Sequence, residues 1–293
     1  HGGLNLISAD PGSGKTWLAL VIALAVAKGA PLFGQINTSQ TGVLFVEEEM
    51  GERRLQERLK ALSIKSDDPT PIHFKSRTGF KLIDGTVYDS IQFCLSNSIG
   101  LVILDSFVRL HNAREENSAT EMAKVFNQIS AFAANGITVI ITHHHRKQPA
   151  GTSYNMQSPR GSSDITAAVD SHLLLKMKGD ILTISNPKAR YNKNADDLKV
   201  KMENHDELID FQIIGQVENI TKEERMKRII LQTLKESIHL QSKNALLLDL
   251  MKAHKDVSRN LYLSTLDELI QTGEVVGTRG PKNMILLNLK PVV

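Results

Sequence analysis

The stretch Leu4-Asn5-Leu6-Ile7-Ser8-Ala9-Asp10-Pro11-Gly12-Ser13-Gly14-Lys15-Thr16 decides the fold. An apolar run, Leu4 to Ala9, leads into a glycine-bearing loop, and Trp17 to Lys28 continues with helical spacing. Strand, loop and helix in that order are the setting a phosphate-binding loop requires. Backbone N–H groups of such a loop, with the N-terminus of the next helix, make a concave anion site. Lys15 is placed to reach the β- and γ-phosphates of a nucleotide, and Thr16 to hold Mg²⁺. Asp10, Pro11, Gly12, Ser13, Gly14, Lys15, Thr16 and Trp17 are therefore the expected cofactor-binding residues, for ATP with Mg²⁺. Ala9 stands where the loop pattern has its first glycine.

With 293 residues, 41% of them hydrophobic, the chain is long enough for one large domain or two ordinary ones. No apolar stretch approaches the roughly 20 residues of a membrane span, so no membrane partner is expected. Cys94, the single cysteine, lies in the apolar segment Ile91 to Leu95 and reads as a reduced core residue, which predicts a cytoplasmic protein. The chain starts at His1 without a targeting segment and reads as a piece of a longer protein. Its net charge of +3 is uneven, because residues 222–293 hold 12 Lys and Arg against 8 Asp and Glu. That excess fits a nucleic-acid partner or a solvated helical face equally well.

Further β-rich runs are Val43 to Glu47, Leu101 to Asp105, Ile137 to Thr142, His172 to Lys176 and Ile181 to Ser185. Helical spacing fills the gaps at Glu52 to Leu62, Val87 to Ser96 and Glu121 to Asn135. Such alternation predicts an α/β fold with a mainly parallel central sheet. Gly179-Asp180 predicts a hairpin turn. The composition changes after Gly215. Helices are expected over Lys222 to Glu236, Lys243 to His254 and Ser258 to Gln271, then strands within Glu274 to Leu289, the outline of a small winged-helix domain. The expected organisation is an ATPase core over 1–215, a linker over 216–221 and a winged helix over 222–293.

Chemistry concentrates at strand ends. Leu101-Val102-Ile103-Leu104-Asp105 puts a carboxylate at the carboxyl end of a buried strand, the edge where such sheets bind ligands. Asp105 is positioned to bind Mg²⁺ through water, as a Walker B aspartate does. Glu47, Glu48 and Glu49 end the second strand, and one carboxylate there would orient the attacking water. Alternation stops all three from facing the phosphate, so Glu49, just past the strand end, is chosen, with Glu48 as the alternative. His143-His144-His145-Arg146-Lys147 closes another strand. Consecutive side chains diverge, which argues against a shared metal, and His144 is preferred as a phosphate-sensing donor. Lys188 and Arg190, near the sheet edge with one residue between them, project to one side and suit a phosphate chain. Reaching a neighbouring subunit's nucleotide, they would act as an arginine finger; a surface pair without a role is the alternative. Two connections carry basic residues suited to single-stranded nucleic acid: Arg146, Lys147, Tyr154 and Arg160 within 146–163, and Arg109, His111 and Arg114 after Asp105.

Together these segments, over residues 2–190, resemble the RecA-type, DnaB-like helicase superfamily, and within it the hexameric helicases of the plasmid RepA type. Arg109-Leu110-His111, Glu115-Glu116-Asn117-Ser118 and Met122 carry the most specific part of the resemblance. Glu49 with Met50 is similar to the family's catalytic Glu-Met pair, His144 to its phosphate sensor, and Lys188 with Arg190 to its trans-acting Lys-x-Arg pair. Arg58 matches an arginine that serves the subunit interface, and Gly161-Ser162 through Asp170 resembles the segment after the DNA-binding loop. The resemblance implies a RecA-like P-loop NTPase, assembled as a hexameric ring that moves on single-stranded DNA. ATP would sit between subunits, with Lys15, Thr16, Asp105 and Glu49 on one side and Lys188 and Arg190 on the other. Residues 222–293 lie outside the resemblance. Through Arg259, Asn260 and Tyr262 a winged helix there would bind duplex DNA, or else the domain would bind a replication protein. The expected function is an ATP-dependent DNA helicase or translocase. A nucleotide-switch regulatory ATPase and a recombinase-like filament are the alternatives.

Overall fold

The computed structural model describes residues 2–64, 69–112, 118–145, 163–191, 195–205, 207–217, 222–237, 241–253, 258–279 and 285–289. Four residues proposed above for nucleic acid in one loop, Arg146, Lys147, Tyr154 and Arg160, lie outside them, as do Arg114 and residues 115–117. The chain divides into two units, His1–Glu218 and Asn219–Val293.

The first unit runs β1 (Leu4–Ala9), α1 (Lys15–Lys28), β2 (Gly42–Glu47), α2 (Glu52–Ala61), β3 (Ile72–Ser76), α3 (Asp84–Ser96), β4 (Ile99–Asp105) and the short α4 (Phe107–Leu110). It continues with α5 (Ala119–Ala134), β5 (Thr138–His144), α6 (Ser163–Ala168), β6 (Ser171–Lys178), β7 (Ile181–Ala189), β8 (Asp197–His205) and β9 (Leu208–Val217). All nine strands share one sheet, in the order β3-β2-β4-β5-β1-β6-β7-β8-β9. Pairing is parallel from β3 to β6 and antiparallel from β6 to β9.

The apolar runs explain the middle of this sheet. Parallel strands are covered on both faces, so β1, β2, β4 and β5 are buried at nearly every position rather than at alternate ones. One face packs on α1 and α2, the other on α3, α5 and α6. α5 shows how a helix meets this requirement: Ser118 caps its N-terminus by accepting from the Glu121 N–H, and Met122, Val125, Phe126, Ile129 and Phe132 form one buried stripe. Truncating the fully buried Phe132 to Ala would cost about 3–5 kcal/mol.

Three strands of this sheet were not anticipated. β3 is short and carries His73 and Lys75, β8 alternates apolar with polar or charged residues, and β9 beside it forms the outer end of the sheet. β9 also runs to Val217, so the first residues of the expected linker are strand, and the core extends beyond 215.

The second unit comprises α7 (Lys222–Glu236), β10 (Gln241–Ser242), α8 (Lys243–Ala253), α9 (Arg259–Gln271), β11 (Val275–Arg279) and β12 (Ile285–Leu289), its strands antiparallel in the order β10-β12-β11. Its own core gathers Ile230, Leu246, Tyr262, Leu266, Leu269 and Leu287. Tyr262 is fully buried and its hydroxyl donates to the Lys243 carbonyl at 2.7 Å, which corrects its assignment as a nucleic-acid contact. Tyrosine has the apolar body to fill a core and a hydroxyl that needs one partner there. Arg259 and Asn260 are exposed at the start of α9.

Candidate nucleotide site

Parallel pairing brings the carboxyl ends of β1, β2, β4 and β5 to one edge. Register sets Ala9 beside His144 and Glu47 beside Asp105. The loop between β1 and α1 turns through Gly12 and Gly14, whose φ values of 78° and 82° lie in the left-handed region that glycine adopts without strain. Lys15 is buried at its base, and its ammonium donates to the Asp10 carbonyl at 2.9 Å and the Ala9 carbonyl at 3.2 Å. Burial draws its pKa down, against Asp105, Glu49 and Asp10, which support the charge. A phosphate oxygen would replace two neutral carbonyls as its acceptor.

Asp105 is 2% exposed and accepts from the hydroxyls of Thr142 and Thr16. Burial pushes its carboxyl pKa up, those hydrogen bonds oppose the shift, and the nearby Glu49 and Glu47 add to it. A buried acid among acids favours a cation beside it. The donors present, one carboxylate and one hydroxyl, suit Mg²⁺, which keeps several waters and takes further oxygens from phosphate. Among the described residues no group of three His, Cys, Asp or Glu could hold a metal ion.

The three glutamates after β2 separate by role. Glu47 is fully buried and accepts from the backbone N–H groups of Glu49 (2.6 Å), Met50 and Gly51 (3.0 Å), and from the Ser76 hydroxyl at 3.2 Å. Glu48 accepts from the N–H groups of Thr78 (2.8 Å), Gly79 (3.1 Å) and Phe80 (3.1 Å) and from the Thr78 hydroxyl (3.0 Å). Both are anchors for turns. Glu49 instead lies 3.8 Å from the His144 Nε2, and its pKa falls to about 2. His144 is the largest cause; burial opposes the shift, while Ser106 and Lys15 support it.

The histidines diverge as well. Thr142 and His144 follow Ile140 along one face of β5, towards Asp105 and Glu49, while His143 points to the other face and packs edge-on against Phe107 at 5.4 Å. His145 lies 2.9 Å from the Ser8 hydroxyl. His111 is buried against Phe107 at 4.7 Å, so it is a core residue and not the nucleic-acid contact expected from sequence. Arg109 is exposed, and its carbonyl accepts from Lys81 at 2.6 Å.

Lys188 and Arg190 do converge, but not at the edge that holds the phosphate loop. The hairpin turn at Gly179 makes β7 antiparallel, so its end returns to the start of β6, which pairs with Asn5. Roughly 15 Å of strand β1 therefore separates them from Ala9. There Lys188 donates to the carbonyls of Thr166 (2.7 Å) and Ala167 (2.9 Å), and Arg190 to the Ala167 carbonyl (3.2 Å) and the Asp170 carboxylate (2.8 Å). Two cations thus cap the carboxyl end of α6, where the last carbonyls lack helical partners.

Residues 1–150 match the AAA_25 family, described as an AAA domain. The chain belongs to this family. A solved structure titled "Crystal structure of the RadB recombinase" is similar to it, with a TM-score of 0.50 and 19% identity over 69% of this chain and 88% of that one. At that identity the likeness speaks for the fold alone, a RecA-like P-loop core. No curated protein matches the chain.

In this AAA domain several site residues carried no sequence signal as contacts. Thr142 was readable only as the strand residue two before His144, on the same face. Arg58 was named from family resemblance; its guanidinium lies over the Trp17 ring at 4.9 Å, and its Nη1 is buried without a hydrogen-bond partner among the described residues. Burial lowers its pKa, opposed by Asp105 and Glu47. A cavity of about 500 Å³ lies beside this pair, lined also by Arg54, Glu57, Asn204 and Glu207.

Proposed function

We propose that this chain is the subunit of an ATP-driven DNA helicase or translocase of the RepA type, a hexameric ring that hydrolyses ATP at its subunit interfaces and moves on single-stranded DNA. The observation that carries the reading is the division of the ionic groups between two ends of β1. Lys15, Thr16, Asp105, Glu49 and His144 gather at one end, Lys188 and Arg190 at the other. Such a chain serves its own nucleotide with the first set and a neighbour's with the second.

In this mechanism Lys15 exchanges its loop carbonyls for β- and γ-phosphate oxygens, and the 500 Å³ cavity beside Trp17 receives the nucleoside. Mg²⁺, held by Thr16 and by water on Asp105, would neutralise charge on the phosphates. Glu49, ionised far below neutral pH, orients and polarises the attacking water rather than storing its proton. The water oxygen bonds to the γ-phosphorus, the bond to the β-phosphate oxygen breaks, and the proton leaves with inorganic phosphate. His144, beside Glu49, meets the γ-phosphate and registers its loss. Lys188 and Arg190 stabilise the same transition state from the next subunit. Arg109, with Arg146, Lys147 and Arg160 of the loop outside the described residues, would follow the DNA backbone.

The second unit, with its order of helix, strand, two helices and two strands, supports a winged-helix reading. Arg259 and Asn260 would then meet duplex DNA, with a replication protein as the other partner class. A recombinase-like role has its own support in the RadB likeness. Among the described residues no helix is long and apolar enough to cross a membrane.

Steady-state ATPase rates with and without single-stranded DNA, paired with sedimentation, test the proposal. Strong stimulation with closed rings that unwind a forked duplex supports it. Helical filaments without unwinding favour the recombinase-like reading, and hydrolysis indifferent to DNA favours a regulatory switch.

A further inference from the structure

The Ser8 hydroxyl lies 2.9 Å from the His145 Nε2 and 2.6 Å from the His172 Nε2, all three side chains buried. One hydroxyl has one proton and two lone pairs, so it donates to one imidazole and accepts from the other, or accepts from both. Burial, the largest cause, lowers both histidine pKa values to about 4, so each ring is neutral and carries a single proton. Three arrangements of the chain are then open, and the one in which both Nε2–H groups donate to Ser8 turns the His145 Nδ1 lone pair towards Asp10 and leaves the buried hydroxyl proton without an imidazole acceptor, which disfavours it.

In the first of the other two, the His172 Nε2–H donates to Ser8, the Ser8 hydroxyl donates to the His145 Nε2, and His145 keeps its proton on Nδ1. That nitrogen is 3.7 Å from the Asp10 carboxylate, an electrostatic contact slightly longer than a hydrogen bond. The second arrangement reverses every bond. It sets a nitrogen lone pair against the Asp10 carboxylate and leaves a buried N–H on the His172 Nδ1, which has no partner among the described residues. Both consequences are unfavourable, so the first arrangement prevails.

Asp10 is an odd residue to find here. It belongs to the loop that the proposed function assigns to a triphosphate, and its charge acts on Lys15. We propose that the His172–Ser8–His145 chain is a positioning device: it fixes the His145 proton towards Asp10 and so draws that carboxylate away from the phosphate path. Ser8, His145 and His172 do not touch the nucleotide; they lower the repulsion it meets. The inference rests on the nucleotide reading of the loop but not on DNA or ring assembly.

The full chain tests this with Mg²⁺ and a fluorescent, slowly hydrolysed ATP analogue, titrated against wild type, Ser8→Ala, Asp10→Asn and the double variant. Ser8→Ala is expected to bind about tenfold more weakly, or about 1.4 kcal/mol. Asp10→Asn binds more tightly than wild type, and the double variant matches Asp10→Asn. Rescue by removing the charge is what a merely structural role of Ser8 would not give. A double variant as weak as Ser8→Ala, or a Ser8→Ala protein that binds normally, overturns the inference. Nitrogen NMR of histidine-labelled wild type decides it independently of folding in the variants: His145 is expected as the Nδ1–H tautomer and His172 as Nε2–H, and any other pair overturns it. Wild type that binds no nucleotide would instead remove the proposed function, leaving the tautomers to be read.

Discussion

The parallel and antiparallel halves of the sheet divide the chemistry unequally. In the parallel half every strand delivers its carboxyl end to the same edge, so residues far apart in sequence meet: Lys15, Glu49, Asp105 and His144. In the antiparallel half each hairpin reverses direction, and the cations of β7 finish beside Leu4 and Asp170, behind the phosphate loop. The difference teaches that one chain builds the phosphate-binding part of the site and carries, out of its own reach, a cation pair that the proposed function gives to a second copy.

That comparison breaks most sharply at Lys15. Lys15→Ala is expected to abolish ATP hydrolysis while the circular dichroism stays native, and retained turnover would remove the phosphate loop from the chemistry. Arg190→Ala is expected to leave nucleotide binding largely intact and to lower turnover about 10³-fold with loss of cooperativity. Mixing it with wild type should poison neighbouring sites; normal turnover without that effect would make the cation pair a helix cap and nothing more.

Within the parallel half, Glu49→Gln is expected to keep ATP binding and lower turnover about 10²-fold, measured against Glu48→Gln, which should loosen residues 78–80 with a smaller loss of rate. The depressed pKa of Glu49 also fixes a pH dependence. Its contribution to stability is fully present above the ordinary carboxylate range and is lost as pH falls towards 2, so no acid limb of turnover between about pH 4 and 7 should trace to it. A limb in that range that vanishes in Glu49→Gln would contradict the assignment. The smallest effect belongs to the second unit. Tyr262→Phe is expected to cost about 1 kcal/mol in its melting and to leave basal ATPase unchanged.

How much of this was legible depends on what each residue contacts. The buried strands announced themselves because burial on both faces demands unbroken apolar runs, and Asp105 followed from standing at the end of one. β8 escaped because Asp197–His205 mixes charges with apolar residues as a strand at the outer part of a sheet does. Glu47, Glu48 and Glu49 are identical letters, and alternation narrowed the choice without settling it, since the partners of Glu48 sit 30 to 32 residues ahead. The hairpin at Gly179 was readable, yet its consequence for Lys188 and Arg190 needed the strand order. Tyr262 and His111 looked like contacts because polar aromatic residues in basic surroundings are ambiguous until burial is known.

The β6–β7 hairpin has one more property. A side-chain carbon at Gly14 would come within 3.2 Å of Met177 and 3.9 Å of Leu182, close to the turn of the hairpin, while Lys188 stands at its opposite end. A single hairpin thus spans the distance from this subunit's phosphate loop to the groups proposed for the neighbour's nucleotide, like a gauge block between two sites. Glycine at position 14 therefore leaves room for the Met177 side chain as well as meeting the left-handed turn of the loop. An added methyl group there would press on the end of the Met177 side chain, at the near end of this gauge, and strain a loop backbone whose φ is 82°.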